Sequence, residues 1–394
     1  MTSFYHPLME ENVNREDINS LIAFLQQDPL PQFTNGPQVR LFEKEWGEWQ
    51  NCPLNTMVGS GSVANEITLL VLKHLYPEGG EILLSPLGWI SDAAAVVQAG
   101  FKPVFCDINL KNFSIDIEDV KKKVTHKTRA LLLVHILGYN GISDDIINFC
   151  KENKIYLIED CCESHGATHK GVKVGNFGDF NNFSYFFAHH MCSLSEGGMI
   201  GVKDNELYNL ARAYRSHGML RECPDENFRN KIIAENPELN PSFIFLGTAH
   251  NGRSQEVNAV VARNQLKRLD ANNEIRSDNF LYFLNNLNPE KYLTTMNTEG
   301  NSNYAFTVVL KNPSITGRDK MESTMKKYLI EFRRGLSGGG SLIRQPALKK
   351  LGLNPLDFPN TERVHHFSWY IGNYPTLKKS KIDNLLRIFN SANV

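Results

Sequence analysis

The sequence predicts an α/β protein with a large domain on a mostly parallel sheet and a smaller C-terminal α+β unit. Three observations predict it. Apolar runs such as EILLS (81–85), RALLLVHIL (129–137) and IYLIED (155–160) alternate with stretches of helical period. Those runs are almost continuous in Val, Ile and Leu, which suits strands covered on both faces. At 394 residues, the chain also exceeds the length at which a single core stops growing.

Taken in order, residues 14–27 read as a helix that Asn14 can cap, with Ile18, Leu21, Ile22 and Leu25 on one stripe. PLPQFTNGP breaks it, and a second amphipathic helix carries Val39, Phe42, Trp46 and Trp49. A short strand ends at Val58, after which Gly59-Ser60-Gly61-Ser62 opens a helix bearing Ile67, Leu70, Val71 and Leu75. Strand 81–85 leads through Pro86 and Gly88 to Trp89 and an Ala-rich helix ending at Gly100. Strands 103–107, 129–137 and 155–160 and helix 143–153 continue the alternation. The aromatic run Phe183 to Phe187 is expected to be a strand that opens into a polar hinge containing His189 and His190. Helix 204–216 ends at Ser216-His217-Gly218, and 219–245 is a polar excursion. Helices over about 255–269 and onward to about 287, strand 304–310, helix 318–331 and a terminal helix 381–390 close the chain. The domain boundary is placed near 253, giving 1–253 as the large domain and 254–394 as the small one.

Apolar residues at 41% and charged residues at 22% describe an ordinary globular chain. A formal net charge of −1 gives no electrostatic case for nucleic acid or an anionic membrane as partner. No apolar window is long enough to span a bilayer, and MTSFYHPLMEENVNRED lacks a signal-peptide profile. The seven cysteines are odd in number and unevenly spaced, forming neither a disulfide framework nor a metal motif. A cytoplasmic protein with no bound metal is the expectation.

Three local patterns carry chemistry. Gly59-Ser60-Gly61-Ser62, between a strand and a helix, offers free amides and hydroxyls to an anion such as phosphate. Its spacing fits neither a Walker loop nor a dinucleotide fingerprint. Asp160 ends an apolar strand, where open α/β sheets bind ligands, and Glu163 follows three residues on. The adjacent His189 and His190 stand where a strand gives way to a turn before Glu196-Gly197-Gly198. A histidine pair by itself is more often packing than catalysis, and an Asp at a strand end caps the following turn about as often as it binds a ligand.

The ordered set GSGS, Trp89, IEDCCESHGA, FSYFFAHH…EGG, RSHG and HNGRSQE resembles the DegT family of sugar aminotransferases, which are fold-type I pyridoxal phosphate enzymes. The resemblance runs from YHPL to FPNTERV and implies an aspartate aminotransferase-like fold. In that family a lysine stands five residues after the phosphate-binding serine; here Ser184 is followed at that offset by His189. Counting back from Gly197-Gly198 selects His190 instead, and strand register favours His189. A histidine in place of the lysine, with Glu163 where aminotransferases usually have glutamine, resembles the 3-dehydratase branch of the family.

The resemblance implies pyridoxal or pyridoxamine phosphate held without a covalent bond. Gly61, Ser62 and Ser184 would take its phosphate, Trp89 would stack on the ring, Asp160 would pair with the ring nitrogen, and Glu163 would bind the ring hydroxyl. Asn251 would reach a phosphate across a homodimer interface, although the family's GYN reads AHN here, with His250 at the tyrosine position. His189 would be the general base, and His217 would help expel a hydroxyl. Arg253 and Arg333 are candidates for the anionic groups of substrates. The implied reaction removes the 3-hydroxyl of a GDP- or CDP-linked 4-keto-6-deoxyhexose, releases ammonia, and draws new amine from L-glutamate. One relative of this branch uses an iron–sulfur cluster, but the clustered cysteines it needs are missing here, so no cluster is expected. A sugar aminotransferase-like enzyme with altered chemistry, or a ligand-sensing member without catalysis, is the alternative.

Overall fold

The computed structural model describes residues 5–10 and 12–394. Strands follow the chain as β1 (Asn55–Val58), β2 (Glu81–Leu84), β3 (Lys102–Phe105), β4 (Thr128–Val134) and β5 (Tyr156–Asp160). Next come β6 (Thr168–His169), β7 (Val172–Lys173), β8 (Phe180–Ser184) and β9 (Gly198–Val202). The C-terminal part holds β10 (Ala305–Val309), β11 (Phe332–Arg334) and β12 (Ser368–Gly372). Seven of them form one sheet in the order β1-β9-β8-β5-β4-β2-β3, in which only β9 runs against its neighbours. The expected mostly parallel sheet is therefore present.

Successive side chains of a strand point to opposite faces, so a two-faced core shows as alternation. Ala130, Leu132 and Val134 of β4 join one hydrophobic cluster, and Leu131 and Leu133 join another across the sheet. Ile82 and Leu84 of β2 repeat the division against Leu83. The helix Gly61–Leu75 packs Ala64, Ile67 and Val71 on the first face. The helix Pro37–Gln50 seals the second with Phe42 and Trp46, both fully buried.

A three-stranded antiparallel sheet, β10-β12-β11, carries the C-terminal unit. The helices Leu269–Asn286 and Lys379–Ser391 lie against each other, and Phe283 stacks on Phe306 of β10 with centroids 4.5 Å apart. The 219–245 excursion contains a helix, Glu226–Glu235, which Asp225 caps and which buries none of its residues. Among the described residues, no helix is long and apolar enough to cross a membrane.

The central strand is shorter than its aromatic content predicts. β8 ends at Ser184, not Phe187. Tyr185 still donates its N–H to the Gly197 carbonyl, but β9 begins only at Gly198 and leaves no partner strand beyond that point. Residues 185–197 close on themselves instead, with Phe187 N–H on the Ser195 carbonyl and His189 N–H on that of Phe186.

Candidate active site

The C-terminal ends of β4, β5 and β8 open into a cavity of about 1000 Å³, roofed by the C-terminal unit. Its lining brings together Gly61, Ser62, Trp89, Asp160, Glu163, Ser184, His189 and Arg333.

Asp160 is the last residue of β5, at the strand end where open α/β sheets bind ligands. Its Oδ1 accepts the N–H of Cys162 at 2.9 Å and its Oδ2 the amide of Asn65 at 2.8 Å. Asn65 lies on the helix Gly61–Leu75 and spans two carboxylates, because the same nitrogen also donates to Asp92 Oδ1 at 2.7 Å. Asn182 and Thr68 extend the network below it. Asp92 is enclosed, its Oδ2 has no partner, and burial beside the Asp160 carboxylate raises its pKa well above the ordinary value. Asp92 is thereby pushed toward its protonated form.

Glu163 accepts the N–H of Leu137 at 2.7 Å and the hydroxyl of Ser337 at 2.9 Å. Burial pushes its carboxyl up to about 7. Leu137 holds φ at 50°, a left-handed conformation that costs a branched residue energy, at the very contact that fixes Glu163.

The phosphate-type pocket forms at the start of the helix Gly61–Leu75. Ser60 caps it through the N–H of Val63, and Gly61 sits so close to β8 that a Cβ there would lie 2.6 Å from Ser184 Cβ. First-turn amides lack acceptors in their own helix, and together with the Ser184 hydroxyl they suit an anion. Trp89, at the N-cap of the helix Ile90–Gln98, stands 56% exposed on the cavity wall. An open indole face, a carboxylate gripped by two donors and an anion cradle are what a planar, protonated, phosphorylated ring requires, so these residues fit pyridoxal phosphate.

His189 faces the cavity, and His190 does not. His189 Nδ1 lies 3.4 Å from the Ser184 carbonyl, which can only accept, so Nδ1 carries the proton and Nε2 the lone pair. Burial lowers its pKa to about 4, against the opposing pull of the Ser184 carbonyl and Asp160. His190 is fully buried, with Nε2 on the Ser302 carbonyl at 2.6 Å and Nδ1 facing His165 Nδ1 at 3.3 Å.

His217, Asn251 and Arg253 lie outside this cavity. A ladder joins Ser216 to Asn251 and Val58 to Arg253, while His217 donates its N–H to the His250 carbonyl. His217 and His250 line a second depression with Phe245, and the exposed Asn251 accepts from Arg253 at 3.0 Å. Conversely, Asn65, Asp92, Tyr304 and Ser337 belong to the site although no motif marked them. Asp92 reads as an ordinary first-turn acid, and Asn65 as one polar residue of a helix.

The one group of potential metal ligands found among the described residues, His135, Glu159 and Cys161, is already committed. Glu159 accepts three backbone N–H groups, from Gly175, Phe177 and Gly178, and His135 Nδ1 accepts that of Gly141.

The model of the DegT/DnrJ/EryC1/StrS aminotransferase family matches residues 12–390. The chain belongs to that family. It is an enzyme of aminotransferase fold that uses pyridoxal phosphate. It is 28% identical over 388 residues to a GDP-4-keto-6-deoxy-D-mannose 3-dehydratase of Yersinia pseudotuberculosis, covering 97% of each chain. With the enzyme of that name from Escherichia coli O55:H7 it shares 30% identity over 90% of this chain and 92% of the relative. Among solved structures, the Escherichia coli 3-dehydratase with hydrated pyridoxal phosphate superposes at a TM-score of 0.87, with 27% identity, 98% of this chain and all of the other. A 3-dehydratase with a trapped coenzyme–glutamate adduct gives 0.86 at 26% identity, covering 98% of this chain and all of the other.

Proposed function

We propose that this family member is a 3-dehydratase acting on a nucleotide-linked 4-keto-6-deoxyhexose, with pyridoxal or pyridoxamine phosphate held non-covalently. One observation carries the reading. His189 occupies the cavity beside Ser184, and among the described residues lining it none is a lysine. Without an amine the site has no group to anchor the coenzyme covalently or to displace a product amine, which ordinary transamination needs.

When bound, the coenzyme supplies an electron sink. Asp160 keeps the proton on the ring nitrogen that makes the sink effective, and Glu163 binds the ring hydroxyl. Gly61, Ser62 and Ser184 hold the phosphate, and Trp89 fixes the ring plane. His189 Nε2, neutral throughout the physiological range, takes the proton whose loss drives out the 3-hydroxyl. Arg333 lines the cavity and suits an anionic group of glutamate or of the sugar nucleotide. L-Glutamate supplies the amine that leaves as ammonia. GDP is the nucleotide of first choice, because the 3-dehydratase relatives from Yersinia and Escherichia carry it in their names. A Salmonella typhimurium relative named as a lipopolysaccharide biosynthesis protein, 27% identical, favours a cell-surface glycan as the product's destination.

The active unit is a homodimer with shared sites. Trp89, Phe186 and Phe187 stand exposed around the cavity, and Phe243 and Phe245 lie exposed on the segment before Asn251. A partner covering this surface would receive Asn251 at its own phosphate site and His217 and Arg253 near its substrate. Seven free thiols fit a reducing cytoplasm.

The test is a panel of sugar nucleotides. Protein recharged with glutamate should release ammonia from GDP-4-keto-6-deoxymannose, and a CDP-linked counterpart resolves the nucleotide. Ammonia from neither compound would end the dehydratase reading and leave the family assignment standing.

A further inference from the structure

Arg276, on the helix Leu269–Asn286, is completely buried yet has no acid beside it. Its Nε donates to the Asn373 carbonyl and its Nη1 to the His190 carbonyl, both at 3.2 Å, while Nη2 is left without a partner. The contrast with Arg215 is instructive. Arg215 is equally buried, but it is neutralised by Glu43 at 2.8 Å. Burying a guanidinium without a counter-charge is costly, so its place calls for a reason beyond packing.

The hydrogen bonds indicate one. Residues 185–197 leave the sheet after Ser184 and need anchors elsewhere. Asn12 holds the carbonyls of Phe187 and His189 at 3.2 and 3.0 Å, and Arg276 holds the next carbonyl, that of His190. Asn373 completes the frame by donating to the carbonyls of Arg276 and Asn303, each at 2.9 Å. We propose that Arg276 is a positioning residue for His189, tying its loop to the C-terminal unit and keeping an uncompensated positive charge beneath it. This rests on His189 being the base.

The groups facing His189 are Asp160 at the end of β5, His165 on the following loop, its neighbour His190, Tyr304 before β10, and Arg276. Asp160 favours a protonated ring, and the guanidinium opposes it. Burial lowers Arg276 to about 10, so it stays charged at neutral pH. The same charge disfavours protonation of His165 and His190, so the three imidazoles stay neutral together.

Of the two forms of imidazole, diethyl pyrocarbonate acylates only the neutral one, so the pH dependence of His189 labelling, read by peptide mass in the full chain without substrate, reports its titration. In the unaltered protein the midpoint should lie below about pH 5.5. Arg276→Gln, which keeps a donor and removes the charge, should raise it by about one pH unit, tenfold in proton affinity. Arg276→Lys should leave it within about 0.3 unit while slowing ammonia release, because the fork is lost. A midpoint near the ordinary 6.5 in the unaltered protein overturns the proposal. So does an unmoved midpoint in Arg276→Gln shown folded by circular dichroism. Should Arg276→Gln fail to fold, Arg276→Lys decides: a retained midpoint with slower turnover supports the role, and full turnover refutes it. Labelling needs no substrate, so its failure leaves the dehydratase reading to the ammonia assay.

Discussion

In the proposed reaction His189 is the base, and the position of its proton follows from a single neighbour. Because the Ser184 carbonyl takes Nδ1–H, Nε2 is free to act as a base. A histidine lowered to about 4 is active above that value and loses activity as pH falls through it. The acidic limb of kcat/KM is therefore expected well below the 6.5 of an unperturbed imidazole. His189→Asn should lower kcat by about 10²- to 10⁴-fold with coenzyme affinity retained, measured by ammonia release and by titration of coenzyme absorbance. A limb at 6.5 would mean that another group is titrating. The adjacent-histidine ambiguity was beyond counting in the sequence, because the hinge breaks the register that makes counting valid. In three dimensions His189 lines the cavity, and His190 turns inward to Ser302. Asp92 was illegible for a different reason: its significance lies in sharing the Asn65 amide with Asp160, and nothing along the chain joins positions 65, 92 and 160.

Among the elements, the helix Gly61–Leu75 sets the depth of the anion cradle. Its first residue tolerates no side chain, since a Cβ on Gly61 would also lie 2.8 Å from Cys162 Sγ. Gly61→Ala should displace the helix start and weaken coenzyme phosphate binding by at least about tenfold, read by equilibrium dialysis, consistent with the ~1.4 kcal/mol that such a factor represents. Ser60→Ala removes the cap on Val63 N–H and should cost about 1 kcal/mol in stability by urea unfolding. Strands and helices of the large sheet were readable because burial on both faces writes itself as unbroken apolar runs. The end of β8 was not, because Tyr185, Phe186 and Phe187 have strand propensity while pairing depends on where β9 begins. Phe186 and Phe187 instead stand about 40% exposed beside the cavity.

At the scale of the whole molecule, neutral buried histidines make stability depend on acid. His6 and His189 are each lowered to about 4, and His165 and His190 lie well below their ordinary value. Between about 4 and 6.5 the unfolded chain binds protons at these sites that the folded chain does not, so stability falls as pH falls through that window. Glu163, raised to about 7, works the other way between 4.5 and 7, where the folded state holds the extra proton. With these four histidines against two raised carboxyls, Glu163 and Asp92, the net prediction is a urea midpoint that drops from pH 6.5 to 4; a flat midpoint would show the histidines to be solvated. The overall architecture followed from sequence order, and eight of the site residues named from the sequence line the cavity. His217, Asn251 and Arg253 lie apart from the cavity; for Asn251 the sequence already pointed to a site across an interface, whereas nothing along the chain set His217 and Arg253 apart.

The absence of an anchoring amine is tested most directly by borohydride reduction of coenzyme-loaded protein without substrate, followed by peptide mass analysis. Wild-type protein should show no pyridoxyl adduct on any peptide, whereas His189→Lys should carry one at position 189 and release no ammonia from the sugar nucleotide. An adduct on a lysine of the wild-type chain, or none on the His189→Lys variant, would contradict the placement of His189 at the coenzyme.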